Sequence, residues 1–438
     1  MYQPPYGGRN LQKSSMSLAE KVSTRGTDAE VDLLKKYSTQ DIFSLFLDYA
    51  QNHGFPMAAW RLPEEEVQHM ILDLSGVSKK VEIDLENLPP GFLFSAFAHD
   101  YNLPEAQADF IHADLYFDTK SHQINLPARP LASDESRLIR ENMLDRLEKG
   151  ELPSRQAGRF HLPERADIQK LEKQHFLDMV SKAVAEVKRQ NFKKVVPSRS
   201  SFVQLSDDFN LAETFEKMCK RYPHAFISLL AVPGRGIWLG ASPEILVSTF
   251  RQNASRFFRT VALAGTQKLQ EGNSIRQASW RIKEIEEQAM VSRYIINCFK
   301  KIRLREFEED GPKTVAAGNL LHLRTDFTVN MDQVNFSELG SVMLKLLHPT
   351  SAVCGLPKEP ALDFIRQHEA YDRELYAGFL GPVNMQEQAN IFVNLRCMQL
   401  TRQGALLYAG AGVTADSDPE HEWLETEMKM QTLQSVLA

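Results

Sequence analysis

Residues 408–430, YAGAGVTADSDPEHEWLETEMKM, join a glycine-rich turn to the start of a charged helix. In the turn, Gly410 and Gly412 alternate with alanine, and such small residues let a backbone approach a ligand closely. The dipeptide Asp418-Pro419 predicts the start of the helix. Proline suits the first helical position and keeps the preceding residue extended, as an N-cap residue should be.

The helix that follows carries charged residues on one face. Glu422, Glu425 and Lys429 are spaced at i, i+3 and i+7, which places all three on the same side. One interpretation is a solvated face with an ion pair between Glu425 and Lys429, because most charged runs face solvent. The alternative is a binding site, and it depends on a second acidic pair elsewhere in the chain.

A second acidic pair lies in a long helix predicted over 274–302. Its apolar stripe, extended toward the N-terminus, meets Glu287 and Glu284 instead of hydrophobic residues. Either the stripe ends early and both acids are solvated, or they face Glu422 and Glu425 around a cation. Four carboxylates with water suit a hard octahedral ion such as Mg²⁺, which also keeps some substrate oxygens as ligands.

A lysine and a glutamate form a candidate acid–base pair. Lys194 opens the predicted strand KVVPSR, and Glu244 lies in GASPE. A lysine at a strand edge is usually solvated. Across a pocket, however, the two residues could act as general base and general acid, because desolvation favours a neutral lysine and a protonated glutamate.

Other residues suit an anionic substrate. Arg396 stands in an otherwise apolar segment, IFVNLRC, and its guanidinium would fit a carboxylate with two hydrogen bonds. Tyr376 could add a hydroxyl donor, and Lys429 lies on the acidic helix face. His322 is equally compatible with a hydrogen-bonded core histidine and with a ligand contact.

Composition excludes several classes of function. The 438 residues carry a net charge of −6, which does not favour nucleic acid or an anionic membrane as a partner. No apolar run approaches the ~20 residues of a transmembrane helix, and the first residues lack the apolar segment of a signal peptide. Four scattered cysteines indicate a cytoplasmic protein with reduced thiols.

The pattern along the chain predicts three parts. Residues 1–25 are rich in proline, glycine and serine and predict a disordered lead. Residues 26–165 predict an N-terminal part of the fold without a catalytic group of residues, and residues 166–438 predict the catalytic domain. Within that domain, apolar runs predict one continuous strand in each of three segments: 193–205, 236–250 and 389–401.

Taken together, these motifs resemble the chorismate-utilising enzyme family. The matching segments are KVV, GASPE, LAGT, KEIEEQAMV, HL, LHPTSAVCGLPKE, YDRELYAGFLG, LRC and YAGAGV followed by EWLETEMK. They occur in one order from about residue 170 to the C-terminus, with weaker likeness before that. The resemblance implies an α+β fold, in which two antiparallel β-sheets face each other, helices pack outside and the active-site cleft lies between the sheets.

The resemblance also implies roles for matching positions. Lys194 would activate a water that adds at C2 of chorismate, and Glu244 would protonate the departing C4 hydroxyl, giving isochorismate reversibly. Glu287 and Glu425 would hold Mg²⁺, supported by Glu284 and Glu422. The remaining candidates would bind the substrate: Arg396, Tyr376, Gly412 and Lys429 around its enolpyruvyl carboxylate, and Gly265, Thr266 and His322 along its ring.

Within the family, three positions favour the isochorismate-forming branch. Lys194 stands where anthranilate-forming members typically carry glutamine, and Ala264 stands where some aminodeoxychorismate-forming members place a lysine. The segment HPTSA (348–352) is similar to HPTPA of isochorismate-forming members. A salicylate-forming enzyme that also releases pyruvate and a chorismate-binding subunit without turnover are the alternatives. The expected partner is chorismate alone, with no obligatory protein partner and menaquinone or siderophore synthesis as the pathway.

Overall fold

The computed structural model describes residues 27–97, 107–126, 134–153, 173–268, 278–317 and 320–437. It is an α+β protein with two nine-stranded antiparallel sheets and a small two-stranded one. This architecture confirms the predicted fold class. The predicted disordered lead, residues 1–25, lies outside the described residues. None of the described helices is long and apolar enough to cross a membrane.

The first sheet has the strand order β7-β6-β2-β1-β10-β11-β19-β20-β9. Its middle strands are buried along their whole length because both faces are covered. In the fourth strand of this order, Trp60 contacts the second sheet's core, whereas Met57 and Ala59 pack under helices. Its strands are β1 (Met57–Arg61), β2 (Gln68–Leu72), β6 (Leu115–Asp118), β7 (Gln123–Asn125), β9 (Ser198–Gln204), β10 (Phe226–Val232), β11 (Gly236–Ser242), β19 (Cys397–Leu400) and β20 (Gly404–Gly410).

The second sheet has the strand order β14-β15-β13-β12-β18-β17-β4-β5-β3. Its strands are β3 (Lys79–Glu82), β4 (Gly91–Ser95), β5 (Gln107–His112), β12 (Ile245–Gln252), β13 (Ser255–Lys268), β14 (Glu308–Ala317), β15 (Leu320–Asn330), β17 (Phe379–Val383) and β18 (Ala389–Val393). The small sheet pairs β8 (Lys194–Val195) with β16 (Gly355–Leu356). Strands from before and after residue 165 share both large sheets, while the division at that residue stays a prediction.

Nine helices lie within the described residues. The predicted N-cap of the last helix is confirmed, because the Asp418 side chain accepts a hydrogen bond from His421 N at 3.0 Å. The helices are α1 (Thr27–Leu34), α2 (Thr39–His53), α3 (Asp134–Glu148), α4 (Lys173–Lys188), α5 (Leu211–Arg221), α6 (Ile282–Lys301), α7 (Leu339–Leu347), α8 (Lys358–His368) and α9 (Pro419–Leu437).

The three strands predicted as continuous are each divided. The segment 193–205 forms β8 and β9, 236–250 forms β11 and β12, and 389–401 forms β18 and β19. In the last two cases the chain leaves one large sheet and enters the other, which an apolar run cannot reveal because both strands of each pair contain buried apolar residues. The prediction of single strands was therefore wrong at the points where the chain changes sheets.

Candidate active site

A cavity lies between the two large sheets. The empty space within it, including the part that is open to solvent, is about 990 Å³. Both sheets, the segments that connect them and the two acidic helices contribute to its wall. Of the predicted site residues whose side chains the structure describes, all line this cavity except Lys194 and Glu422.

Glu244 and Arg396 lie side by side because the chain crosses between the sheets twice at neighbouring points. Glu244 follows β11 and precedes β12, and Arg396 lies between β18 and β19. The carbonyl of Glu244 accepts a hydrogen bond from Val393 N at 3.0 Å, and the carbonyl of Arg396 accepts one from Ala241 N, also at 3.0 Å. Arg396 has a left-handed backbone with φ +47° and lies in the connection between two strands, where the sequence predicted the interior of one strand.

Burial gives Glu244 the properties of a proton donor. Its side chain faces the cavity, and the residue is only 6% exposed. Desolvation raises the pKa of Glu244 to about 7, although the charges of Lys194 and Arg396 and a hydrogen bond with Thr350 act in the opposite direction. A glutamate with this pKa is partly protonated near neutral pH, as a general acid must be.

Lys194 lies behind the cavity wall and reaches toward it with its ammonium group. The residue is 2% exposed, and its Nζ donates a hydrogen bond to Glu287 Oε1 at 2.6 Å. Gly412 makes this contact possible: a Cβ on Gly412 would lie 2.9 Å from Lys194 Cε and 3.0 Å from Glu287 Oε1. A Cβ at these distances would displace the ends of both side chains, so the glycine leaves room for the pair.

Glu284, Glu287 and Glu425 of α6 and α9 line the cavity, Glu422 lies one turn before Glu425, and lysines pair with three of these four acids. Besides the Lys194–Glu287 pair, Lys429 Nζ lies 2.6 Å from Glu425 Oε1. Lys283 Nζ lies 3.0 Å from Glu422 Oε1, and Glu422 is buried. Burial works against ionisation of Glu287, but the ammonium groups of Lys194, Lys429 and Lys283 together outweigh it and lower the pKa of Glu287.

Burial, together with the neighbouring charge of Glu425, has the opposite effect on Glu422. Both raise its pKa, although the ammonium of Lys283 acts against them. Glu284, one turn before Glu287 on α6, has a different local partner and accepts a hydrogen bond from Arg281 N at 2.9 Å. An ion pair between Lys283 and Glu422 joins the two acidic helices, but their carboxylates have separate partners.

The acidic side chains at the cavity are of the chemical type that binds a divalent cation. Glu284, Glu287 and Glu425 line one cavity and offer the hard oxygen ligands that Mg²⁺ prefers. Over the described part of the chain, no three acidic, histidine or cysteine side chains are grouped closely enough to hold a metal ion. Lysines pair with three of the four acids, and the predicted metal roles of the four glutamates stay predictions.

Arg396 presents an unpaired positive charge to the cavity. Within the described ranges, its guanidinium makes neither a hydrogen bond nor an ion pair, and it lines the cavity beside Tyr376. Burial raises the pKa of Tyr376, so its hydroxyl stays protonated. A cation and a hydroxyl donor at one end of a cavity form a site for a carboxylate.

His322 is neutral in this environment. Burial and the charge of Arg396 lower its pKa to about 4. Its Nδ1 lies 2.7 Å from the carbonyl oxygen of Gly265, which can only accept, so Nδ1 carries the proton. Gly265 has φ +68°, a conformation that favours glycine. The side chain of Thr266 lies outside what the structure describes.

Two contributors to the site were missed from the sequence. Lys283 lines the cavity and pairs with Glu422, and Thr350 bonds to Glu244. Lys283 directly precedes Glu284 in KEIEE, so its position beside the acidic residues was a usable signal. Thr350 belongs to the HPTSA segment, but nothing in its spacing from Glu244 indicates their contact.

Comparison with known proteins relates the chain to one enzyme family. A sequence profile of that family, described as chorismate binding enzyme, matches residues 101–438. The chain is 29% identical over 271 residues to isochorismate synthase EntC of Escherichia coli strain K12, covering 60% of this chain and 67% of EntC. It is 33% identical over 285 residues to the salicylate biosynthesis isochorismate synthase of Pseudomonas aeruginosa, covering 62% of this chain and 56% of that protein.

A solved structure has the same fold. The menaquinone-specific isochorismate synthase MenF of Escherichia coli superposes with a TM-score of 0.68 at 21% sequence identity. The superposition covers 92% of each chain, so it includes the N-terminal strands as well as the cavity. At this identity the likeness concerns the fold alone.

Proposed function

The chain belongs to the chorismate binding enzyme family, and we propose that it is an enzyme that converts chorismate to isochorismate reversibly. The relatives described above carry the name isochorismate synthase and make this the favoured activity within the family. In the reaction, water adds at C2, the two ring double bonds each shift by one position, and the C4 hydroxyl leaves as water. No atoms are gained or lost overall, so the reaction is an isomerisation.

One observation supports this activity most strongly. A buried glutamate with a pKa near 7 lines the cavity, and a buried lysine lies close enough for its charge to affect that glutamate. Displacement of a hydroxyl by water requires one group that accepts a proton and another that donates one. We assign these tasks to Lys194 and Glu244, respectively.

Lys194 and Glu244 together account for both proton transfers of the reaction. As a neutral amine, Lys194 accepts a proton from the attacking water, and protonated Glu244 gives its proton to the departing hydroxyl. A lysine accepts a proton only when neutral, so the ion pair with Glu287 has to open first. The reverse reaction uses the same two groups with their roles exchanged, which is consistent with reversibility.

The anionic groups of chorismate would be recognised by the cationic side of the cavity. Arg396 can donate two parallel hydrogen bonds to the enolpyruvyl carboxylate, with Tyr376 as a third donor. Neutral His322 and the backbone at Gly265 would lie along the ring. Since every residue of the cavity wall falls between 196 and 429, we also propose residues 166–438 as the catalytic domain.

Mg²⁺ would be held by Glu287 and Glu425, with Glu284 and Glu422 supporting them. When bound, it would neutralise the acidic helices and polarise a carboxylate of the substrate. Glu287 would then belong to two interactions, because it also pairs with Lys194. The metal assignment follows from the ligand chemistry of these acids and from the family.

Product analysis tests the proposal. Purified protein is incubated with chorismate and Mg²⁺, and products are separated by chromatography. Isochorismate should accumulate to a fixed ratio with chorismate, and the same ratio should be reached from isochorismate. Salicylate and pyruvate formed at the rate of chorismate loss would identify the salicylate-forming alternative, and chorismate binding without any product would identify a non-catalytic subunit.

The fate of the product is a separate proposal. The structural relative MenF is named menaquinone-specific, and another relative is named a vibriobactin-specific isochorismate synthase. We propose that isochorismate from this enzyme supplies menaquinone or siderophore synthesis in the cytoplasm. Genes adjacent to the coding sequence would distinguish these two pathways.

A further inference from the structure

A buried ion pair outside the cavity connects its two sides. Arg373 and Glu369 have side chains that are 3% and 2% exposed, and Arg373 Nε lies 2.8 Å from Glu369 Oε2. Neither residue lines the cavity. The guanidinium also packs 4.1 Å from the centre of the Phe97 ring, so apolar surroundings hold it in place.

The remaining donors of Arg373 bind two backbone segments of the cavity wall. Its guanidinium donates to the carbonyl of Val196 at 2.6 Å and to the carbonyl of Val353 at 2.9 Å. Val196 follows Lys194 by two positions, and Val353 follows Thr350 by three. Both valines line the cavity. One side chain therefore binds the segment of the candidate base and the segment whose threonine bonds to the candidate acid.

Glu369 fixes the first of these segments from the other side. Its Oε1 accepts hydrogen bonds from Ser198 N at 2.7 Å and from Ser198 Oγ at 2.9 Å. Ser198 Oγ also lies 2.6 Å from the hydroxyl of Tyr371. The backbone of Arg373 continues the network, because its carbonyl accepts a hydrogen bond from Tyr376 N at 2.8 Å. Every polar group of the pair is engaged.

We propose that Arg373 and Glu369 are positioning residues that set the placement of Lys194 relative to Glu244. This inference rests on the proposed function and adds two residues to it that touch neither substrate nor metal. Their effect acts through the Val196 and Val353 backbone segments.

General considerations favour a positioning role over a purely stabilising one. A buried ion pair is weak evidence for stability, because desolvation of both charges offsets much of their attraction. The Arg373–Glu369 pair instead fixes geometry. The planar guanidinium binds a carboxylate and two carbonyls in fixed directions, which a lysine ammonium cannot do. Misplacement of reacting groups by about 1 Å can lower a rate about 100-fold.

The test uses Arg373→Lys, which keeps the positive charge opposite Glu369 and removes the fork that binds the two carbonyls. We expect kcat for isochorismate formation to fall at least about tenfold, while KM for chorismate changes less than about threefold. Equal kcat values for the variant and the wild type, or a loss confined to KM, would overturn the inference.

Arg61→Lys is the matched control. Arg61 is also buried and donates to three backbone carbonyls, those of Leu62, Pro223 and Tyr222, but it lies away from the cavity. Both variants should lower the melting temperature to a similar extent, and only Arg373→Lys should lower kcat. A comparable loss of kcat in both would mean general destabilisation and would contradict positioning.

The pH dependence of kcat is a second measurement, because general destabilisation of the protein would not shift its alkaline limb. Lys194, Arg396, Lys429 and Thr350 act on Glu244, and each of them lowers its pKa. If Arg373→Lys loosens the segments of Lys194 and Thr350, the alkaline limb of kcat should move upward by about half a pH unit. An unchanged limb together with a lower kcat would contradict the proposed route through these two segments.

Two further outcomes complete the design. If Arg373→Lys does not fold, Glu369→Gln, which has the same shape and lacks the charge, takes its place in the same comparison. Failure of both to fold would make the pair a folding element and overturn the inference. The wild type is assayed in parallel: absence of isochorismate there would refute the proposed function, whereas active wild type with unaffected variants would refute positioning alone.

Discussion

The Nζ of Lys194 lies 2.6 Å from Oε1 of Glu287, so the candidate base is paired with a candidate metal ligand. This contact joins β8 to α6 directly beside Gly412. Since the same carboxylate cannot serve both partners fully, cation binding at Glu287 and the availability of Lys194 as a base are expected to be linked.

Replacing the lysine should remove water addition while leaving substrate binding intact. In Lys194→Ala, we expect kcat to fall by about 100-fold or more, because the attacking water loses its proton acceptor. Chorismate binding, measured by calorimetry, should change little. Lys193→Ala is the control, since Lys193 is the adjacent residue and is exposed. Turnover by Lys194→Ala at the wild-type rate would remove the lysine from the mechanism.

The pH dependence of the forward reaction should report Glu244. As the general acid, it has to be protonated, and its pKa is about 7. Activity should therefore fall as pH rises through about 7, with a slope of one proton in the plot of log kcat against pH. Glu244→Gln should lack most of the activity at every pH. If a partly active Glu244 variant keeps the same alkaline limb, that limb reports the titration of another group.

Several features of the site were predictable because they depend on local spacing. The turn with Gly412, the N-cap at Asp418 and the shared face of Glu425 and Lys429 all follow from positions within a few residues. Arg396 was correctly singled out as an unusual residue, but its predicted strand was wrong. Which residues lie opposite one another across two sheets depends on distant pairings, which local patterns do not encode.

The buried pair Arg373 and Glu369 is a second example of partners that local sequence patterns do not reveal. Arg373 belongs to the recognised segment YDRELYAGFLG and Glu369 lies two positions before it, yet neither was assigned a role. Val196 and Val353, whose carbonyls bind Arg373, are 177 and 20 positions away from it, respectively. A charged pair four residues apart on its own indicates a solvated helix face. Only the packing shows that this pair is enclosed.

Glu244 should also destabilise the folded protein at alkaline pH. Burial raises its pKa from 4.5 to about 7, so its contribution to stability is present below pH 4.5 and is lost as pH rises through 7. Above pH 8 the isosteric Glu244→Gln should exceed the wild type in stability by about 3 kcal/mol, and below pH 4.5 the difference should disappear. Thermal melting of both proteins across this range measures the gap, and a gap independent of pH would contradict the raised pKa.

Removing a candidate metal ligand should weaken Mg²⁺ binding. In Glu287→Gln or Glu425→Gln, the Mg²⁺ concentration for half-maximal activity should rise about tenfold, because one anionic ligand is lost. Glu420→Gln on the same helix as Glu425 is the control, since Glu420 is exposed and pairs with Lys173. Identical Mg²⁺ titrations for all four proteins would refute the metal assignment.

Oxygen labelling tests the central claim most directly, namely that solvent water adds at C2 while the C4 hydroxyl leaves. The enzyme in excess converts chorismate in ¹⁸O-labelled water during a single turnover, and the isochorismate is analysed by mass spectrometry. We expect one ¹⁸O atom in the isochorismate, located at the C2 hydroxyl. Unlabelled isochorismate would mean that the hydroxyl migrates without exchange, and it would contradict the roles of Lys194 and Glu244.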